Sequence, residues 1–267
     1  MRVRLLLTLA VALSVSASVA STRDLFRTNA ALWQTPQAAP VKSFTHDGVA
    51  GIDGRFAFAA PVYGCAFLLD HSVWTQQMRR LGAVGARWDA LWDARNFLPF
   101  AKMPVLWCTG TNDYFFPLDS LQRGCDLLPQ PPSLSVKVRM PHGHPPAGDP
   151  REIAAFADSV VFGRPALPKV TSAEMRGGAL AVSWRADGRR VAQAFLVRTA
   201  SRDGNWSKRA FDSVPIAFSG ASLTAAVPPD SELWYVNLVT DDGLVVSTRH
   251  FVRRADGLAK GMAADFR

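Results

Sequence analysis

The sequence predicts an α/β portion followed by an all-β sandwich. Three observations carry this expectation. Up to Gly163, apolar strand-like runs alternate with helical segments, in the order strand, helix, strand, helix, strand, helix. The first two of those strand-like runs are almost continuously apolar, as strands covered on both faces are. From Leu167 the texture changes to short alternating runs, several of them separated by Asp-Gly pairs, which is sandwich grammar.

Taken in order, residues 1–20 place Arg2 and Arg4 before an apolar run that ends in the small residues Ser18-Val19-Ala20. This is the pattern of a secretory signal peptide, and a secreted or periplasmic location follows from it. The run falls short of the ~20 apolar residues a membrane span needs. An uncleaved anchor is the alternative. No other segment reads as a span, so no membrane association is expected after cleavage. Residues 21–48 are polar and irregular. "RFAFAAPVYG", Arg55 to Gly64, reads as a first buried strand closed by glycine. Residues 72–95 carry Trp, Leu and charge at helical spacing, and Gly82 and Gly85 divide them into two short helices.

"MPVLWCTGTND", Met103 to Asp113, is a second buried strand with a Gly-rich end. "PLDSLQRGCDLLP" is a helix with Asp119 or Ser120 as N-cap, stopped at Pro129. "SLSVKVRM", Ser133 to Met140, is a third strand. "DPREIAAFADSVVFG" is a helix with Asp149 as N-cap, Pro150 at its first position and Gly163 at its end. Beyond it, "ALAVSWRA", "AQAFLVRTA", "WSKRAFD", "SLTAAVP", "ELWYVNLVT" and "LVVSTRHFV" read as sandwich strands. The domain plan is therefore 49–165 for the α/β portion, 167–254 for the sandwich and 255–267 for a tail.

Composition excludes some functions. The chain has 267 residues, 48% hydrophobic and 19% charged, with a formal charge of +8. Its basic residues are scattered as pairs such as Arg189-Arg190 and form no stripe interleaved with aromatics, so no nucleic-acid partner is expected. Cys65, Cys108 and Cys125 are an odd set with no CxxC and no zinc spacing, and Cys65 and Cys108 read as inert core thiols. A metal on His142 and His144 would need two more ligands, and only Asp149 offers itself, so neither a metal nor another cofactor is implied.

Ligands of open α/β sheets sit beyond the carboxyl ends of the strands. Two groups fall there: Asp113 in "TGTNDYFFP", and His142 with His144 in "MPHGHPP". An acid and a histidine after successive strands suit a relay in which the carboxylate fixes the imidazole tautomer and the other ring nitrogen takes a proton. The same residues also fit plain loop roles, Asp113 as a turn cap and the histidines as solvated side chains. Tyr63, Trp74 and Trp88 are candidates to line a substrate mouth, although aromatics at such spacings also serve packing.

These motifs carry a resemblance. "VAGIDGRFAFAAPVYGCAFL", "MPVLWCTGTNDYFFPLDSLQRGCDLLP" and "LSVKVRMPHGHPPAGDPREIAAFADSV" resemble the C-terminal half of secreted α/β-hydrolases of the acetylxylan-esterase and dienelactone-hydrolase-like type, which includes relatives labelled S9-like peptidases. The resemblance runs from Val49 to Gly163. It implies a partial α/β-hydrolase fold of about three parallel strands with helices, and an ancestral carboxylic-ester hydrolase acting on an ester or polysaccharide-type substrate. It also implies Asp113 as triad acid and His144, which follows a glycine, as base, with His142 the second choice.

The family's G-x-S-x-G nucleophile elbow is absent from the sequence. Family spacing points near Pro40, where Ser43 is the nearest hydroxyl and lacks flanking glycines. The nucleophile is therefore assigned to no residue, and the chain alone is expected to be inactive, as though the family's start and C-terminal half had been joined without the middle. The first retained strand would then expose an unpaired apolar edge, a route to dimerisation. The alternative function is a carbohydrate- or partner-binding sandwich with a vestigial hydrolase remnant, using Trp184, Trp206 and Trp234 as a stacking platform.

Overall fold

Among the described residues, the apolar runs of the first portion build one parallel pair of strands. In the computed structural model, which describes residues 50–51, 54–64, 66–143, 150–253 and the backbone of 259–261, β1 (Leu106–Asn112) pairs in parallel with β2 (Ser133–Pro141). The expected signal peptide, residues 21–48 with Ser43, and also Cys65, His144, Asp149 and most of the tail lie outside the described residues. The run from Arg55 to Gly64 lies beside β1 without becoming a strand. It makes two isolated parallel bridges, Ala59 with Val105 and Val62 with Cys108. Pro61 accepts from Cys108 N–H through its carbonyl but has no N–H to return, and Tyr63 turns out of the extended region at φ 72°.

This corrects the expected fold class. Among the described residues, nine of the eleven strands, β3 to β11, lie in antiparallel sheets, and the only parallel sheet has two strands. An α/β-hydrolase core with about three parallel strands is not what this chain forms. The physical reason lies at the edges. A parallel strand must be hydrogen-bonded or covered along both sides, and β2 finds its second cover in side chains instead of a further parallel strand. Val136 N–H donates to Ser247 Oγ at 2.8 Å, and Val136 C=O accepts from Asn237 Nδ2 at 3.1 Å and from Tyr235 Oη at 3.3 Å.

Among the described residues, four α-helices flank these strands. α1 (Thr75–Arg80) and α2 (Ala83–Trp92) are the two short helices expected, parted at Gly82, whose φ is 53°. α3 (Leu118–Leu127) starts after Pro117, so Asp119 lies in its first turn and does not cap it. α4 (Arg151–Phe162) has Pro150 as its N-cap, so it starts one residue later than expected. It ends at Gly163 in the left-handed conformation with φ 63°, which glycine adopts without strain.

The antiparallel part consists of β3 (Lys169–Arg176), β4 (Ala179–Arg185), β5 (Val191–Thr199), β6 (Asp212–Pro215), β7 (Ser222–Ala226), β8 (Leu233–Thr240), β9 (Val245–Ser247), β10 (Phe251–Arg253) and β11 (Ala259–Gly261). One sheet runs β11-β10-β8-β5-β6 with β9 also on β8, and the other runs β3-β4-β7. β4 and β7 alternate strictly, burying Leu180, Val182, Trp184, Leu223 and Ala225 on one face. β8 is buried almost throughout because both of its faces are covered. Trp234, Val236 and Leu238 join the cluster of β4 and β7, while Leu233 and Tyr235 join the cluster of β1, β2 and α3.

Three details differ from the sequence reading. β3 was not expected. It turns into β4 through Gly177 and Gly178, at φ 55° and 81°, as a two-residue hairpin requires. "WSKRAFD" holds a 3-10 turn at Trp206–Lys208, and the strand begins only at Asp212. "LVVSTRHFV" breaks into β9 and β10 where Thr248 accepts Val236 N–H through Oγ1 at 3.0 Å.

Candidate functional site

The site forms where β1 and β2 end side by side. After Gly110 and Lys137 their register slips, so that Asn112 stands opposite Pro141. The slip folds β2 over Gly110, where any Cβ would collide with the Met140 carbonyl, and it takes Arg139 to φ 62°. Arg139 N–H is satisfied by Thr111 Oγ1 at 2.9 Å. This local bulge brings the histidine loop across the end of β1.

Asp113 follows β1 directly and is 1% exposed. Its Oδ1 accepts from Phe115 N–H at 2.8 Å and from Phe116 N–H at 3.2 Å, which is the turn-capping role. The same oxygen accepts from His142 Nδ1 at 2.9 Å, so the cap and the histidine partner are one residue. Burial pushes the Asp113 carboxyl above its ordinary pKa, against the opposing pull of His142 and the two backbone donors. Its Oδ2 is buried and has no partner among the described residues. With Nδ1–H committed to the carboxylate, the neutral His142 ring leaves Nε2 as its proton-accepting atom.

The structure thus sets His142 on Asp113, while His144 lies outside the described residues. Tyr63 is buried against the histidine loop. Its hydroxyl lies 2.6 Å from Gly143 O and 3.1 Å from Pro141 O, and it accepts from Gly143 N–H at 3.0 Å. Its ring stacks on His142 at 4.1 Å. Trp74 is 45% exposed, and its ring lies 6.1 Å from Phe115. Trp88 is half-buried on α2 and has no ring contact with this group among the described residues. Two members were missed by the sequence reading. Phe115 lies 4.2 Å from His142, and the half-exposed Tyr114 lies 5.8 Å from it. The aromatic run directly after the acid in "NDYFFP" was the available signal.

Nucleophile candidates are few. No described serine, threonine or cysteine is hydrogen-bonded to His142. Cys108 and Cys125 are free thiols, but burial pushes Cys108 up to about 12 and Cys125 higher still, so neither supplies a thiolate. A second acid–histidine pair exists, His71 Nδ1 to Asp119 Oδ2 at 2.7 Å. The adjacent Ser120 Oγ donates to the His71 carbonyl and has no bond to its ring. Among the described residues no cluster of three or more His, Cys, Asp or Glu could hold a metal, and no helix is long and apolar enough to cross a membrane. Trp184, Trp206 and Trp234 are 5%, 9% and 1% exposed, so they pack in the interior and offer no stacking platform.

The sequence matches no protein family and no curated protein. Among solved structures the chain is similar to a carbohydrate acetylesterase from Xanthomonas citri, at 15% identity over 76% of this chain and 51% of that one, with a TM-score of 0.36. It is also similar to a pectate lyase from Pectobacterium carotovorum, at 16% identity over 31% of this chain and 26% of that one, with a TM-score of 0.22. The chain spans about half the length of the acetylesterase and about a quarter of the lyase.

Proposed function

We propose that this protein carries the acid–base half of a carboxylic-ester hydrolase site, with Asp113 as the orienting acid and His142 as the base. The observation that carries the reading is the 2.9 Å bond from His142 Nδ1 to a buried, doubly capped carboxylate at the ends of two neighbouring parallel strands. In such a pair Nε2 takes a proton from a hydroxyl or water, and the carboxylate stabilises the imidazolium that results. The resemblance of the flanking motifs supports an ester as substrate, in particular one borne on a polysaccharide. The first twenty residues support action outside the cytoplasm.

No serine among the described residues is hydrogen-bonded to the pair, and the sequence carries no G-x-S-x-G elbow, so the chain alone is not expected to turn over an ester. Two measurements test this. A fluorophosphonate probe should leave the purified chain unlabelled; labelling that disappears in Ser43→Ala would overturn the missing-nucleophile reading. In proton NMR, the His142 Nδ1–H should appear as a slowly exchanging downfield signal that is lost in Asp113→Asn and unchanged in His144→Ala. A signal that instead followed His144 would move the base to that residue.

A further inference from the structure

The imidazole of His142 is held from both sides. The Tyr63 ring lies 4.1 Å from it at an interplanar angle of 28°, and the Phe115 ring lies 4.2 Å from it at 32°. Two six-membered rings that close, each inclined to the imidazole by about 30°, have room only on its opposite faces. Each jaw is itself anchored. Phe115 N–H is bonded to Asp113 Oδ1, so this jaw and the acid belong to one turn. Tyr63 N–H donates to Cys108 O at 2.6 Å, and Tyr63 C=O accepts from Trp107 Nε1 at 2.5 Å. Gly64 lets the two segments that carry the jaws approach, because a Cβ there would run into the side chain of Phe116, the neighbour of Phe115. The φ of 72° at Tyr63 lies in the left-handed region, which a bulky residue rarely occupies. A tyrosine is kept in that conformation with its hydroxyl on the backbone that carries His142.

We infer that Tyr63 and Phe115 are positioning residues that form a two-sided aromatic clamp on His142, fixing its ring plane so that Nδ1 stays on Asp113 and Nε2 is presented at the open edge. This rests on the reading of Asp113 and His142 as an acid–base pair. Tyr63 adds a second function, because its hydroxyl locks Pro141 and Gly143, the residues on either side of the base. Two π faces also suit a ring that carries positive charge while it holds a proton.

The test is NMR on the full chain, which needs no substrate. In the wild type, the His142 ring protons should be displaced by ring currents from both jaws, and Nδ1–H should exchange slowly. Phe115→Leu and Tyr63→Leu should each abolish the ring-current displacement from one side and broaden Nδ1–H beyond detection. Tyr63→Phe keeps the stack and removes the hydroxyl. It should retain the ring-current shifts while Nδ1–H exchanges about tenfold faster, the scale of one lost hydrogen bond. If Nδ1–H is seen in the wild type and stays unchanged in all three variants, the clamp is wrong and the acid–base pair stands. If it is absent from the wild type, the pair itself fails. Should the leucine variants not fold, the exchange rate in Tyr63→Phe decides alone.

Discussion

Asp93 shows what a single buried carboxylate holds together. It is fully buried, and it accepts Phe67 N–H at 3.0 Å, Leu68 N–H at 2.9 Å and Arg95 N–H at 2.9 Å. Two of those donors belong to a turn in which Ala66 and Phe67 both have positive φ. Asp93→Ala would leave one buried and two part-buried N–H donors without their partner, with an expected loss of about 2–4 kcal/mol in urea unfolding. His250 sets a pH limit. Burial lowers its pKa from 6.5 to about 4, with Asp119 opposing and Arg249 assisting. The unfolded chain takes up the proton near 6.5 and the folded one only near 4. Stability is therefore full above pH 6.5 and falls as pH drops towards 4, by about 3 kcal/mol. Unfolding measured between pH 7 and 4 should show this slope, and His250→Leu should flatten it.

Among the elements, the slipped pairing of β1 and β2 decides the site. Gly110 is where the Met140 carbonyl crosses β1, and no larger residue fits without moving backbone. Gly110→Ala is expected to cost about 1–3 kcal/mol and to shift the histidine loop, so that the His142 Nδ1–H signal is lost along with the stability. The sequence marked "CTGTND" as a Gly-rich strand end, and that much was legible. The bulge was not, because a register slip depends on which residues face each other across two strands. Asp113 was likewise legible as a turn cap and as a candidate acid, and the structure shows the capping bonds and sets His142 on the same carboxylate oxygen. The clamp was only half legible: Tyr63 stood out as an aromatic near the site, but its task depends on a turn conformation that no local pattern predicts.

Across the whole molecule, β8 joins the two halves of the core. One of its faces packs with β4 and β7, and the other with β1, β2 and α3. Gln122 on α3 adds a reciprocal pair with the backbone of His250, at 3.1 Å and 3.0 Å. The described residues should therefore unfold in one transition. Residues 167–267 expressed alone should be markedly less stable or aggregate, because Leu233, Tyr235, Val197 and Phe211 would lose part of their cover. A separate, reversible transition for that fragment, at the midpoint of the full chain, would count against a shared core.

The sequence by itself determined the local events: the helix break at Gly82, the stop at Gly163, the alternation of β4 and β7, and the placing of Asp113 and a histidine loop after two neighbouring strands. Each follows from propensities and periodicities acting within about ten residues. Only the tertiary structure decided that the parallel sheet stops at two strands, that β8 is covered on both faces and that His142 sits between two rings on Asp113. A run such as "ELWYVNLVT" or "RFAFAAPVYG" is apolar enough to be buried on both sides, but its composition does not say what buries it. That depends on which distant backbone groups find partners, and here the edge of β2 found Ser247, Asn237 and Tyr235.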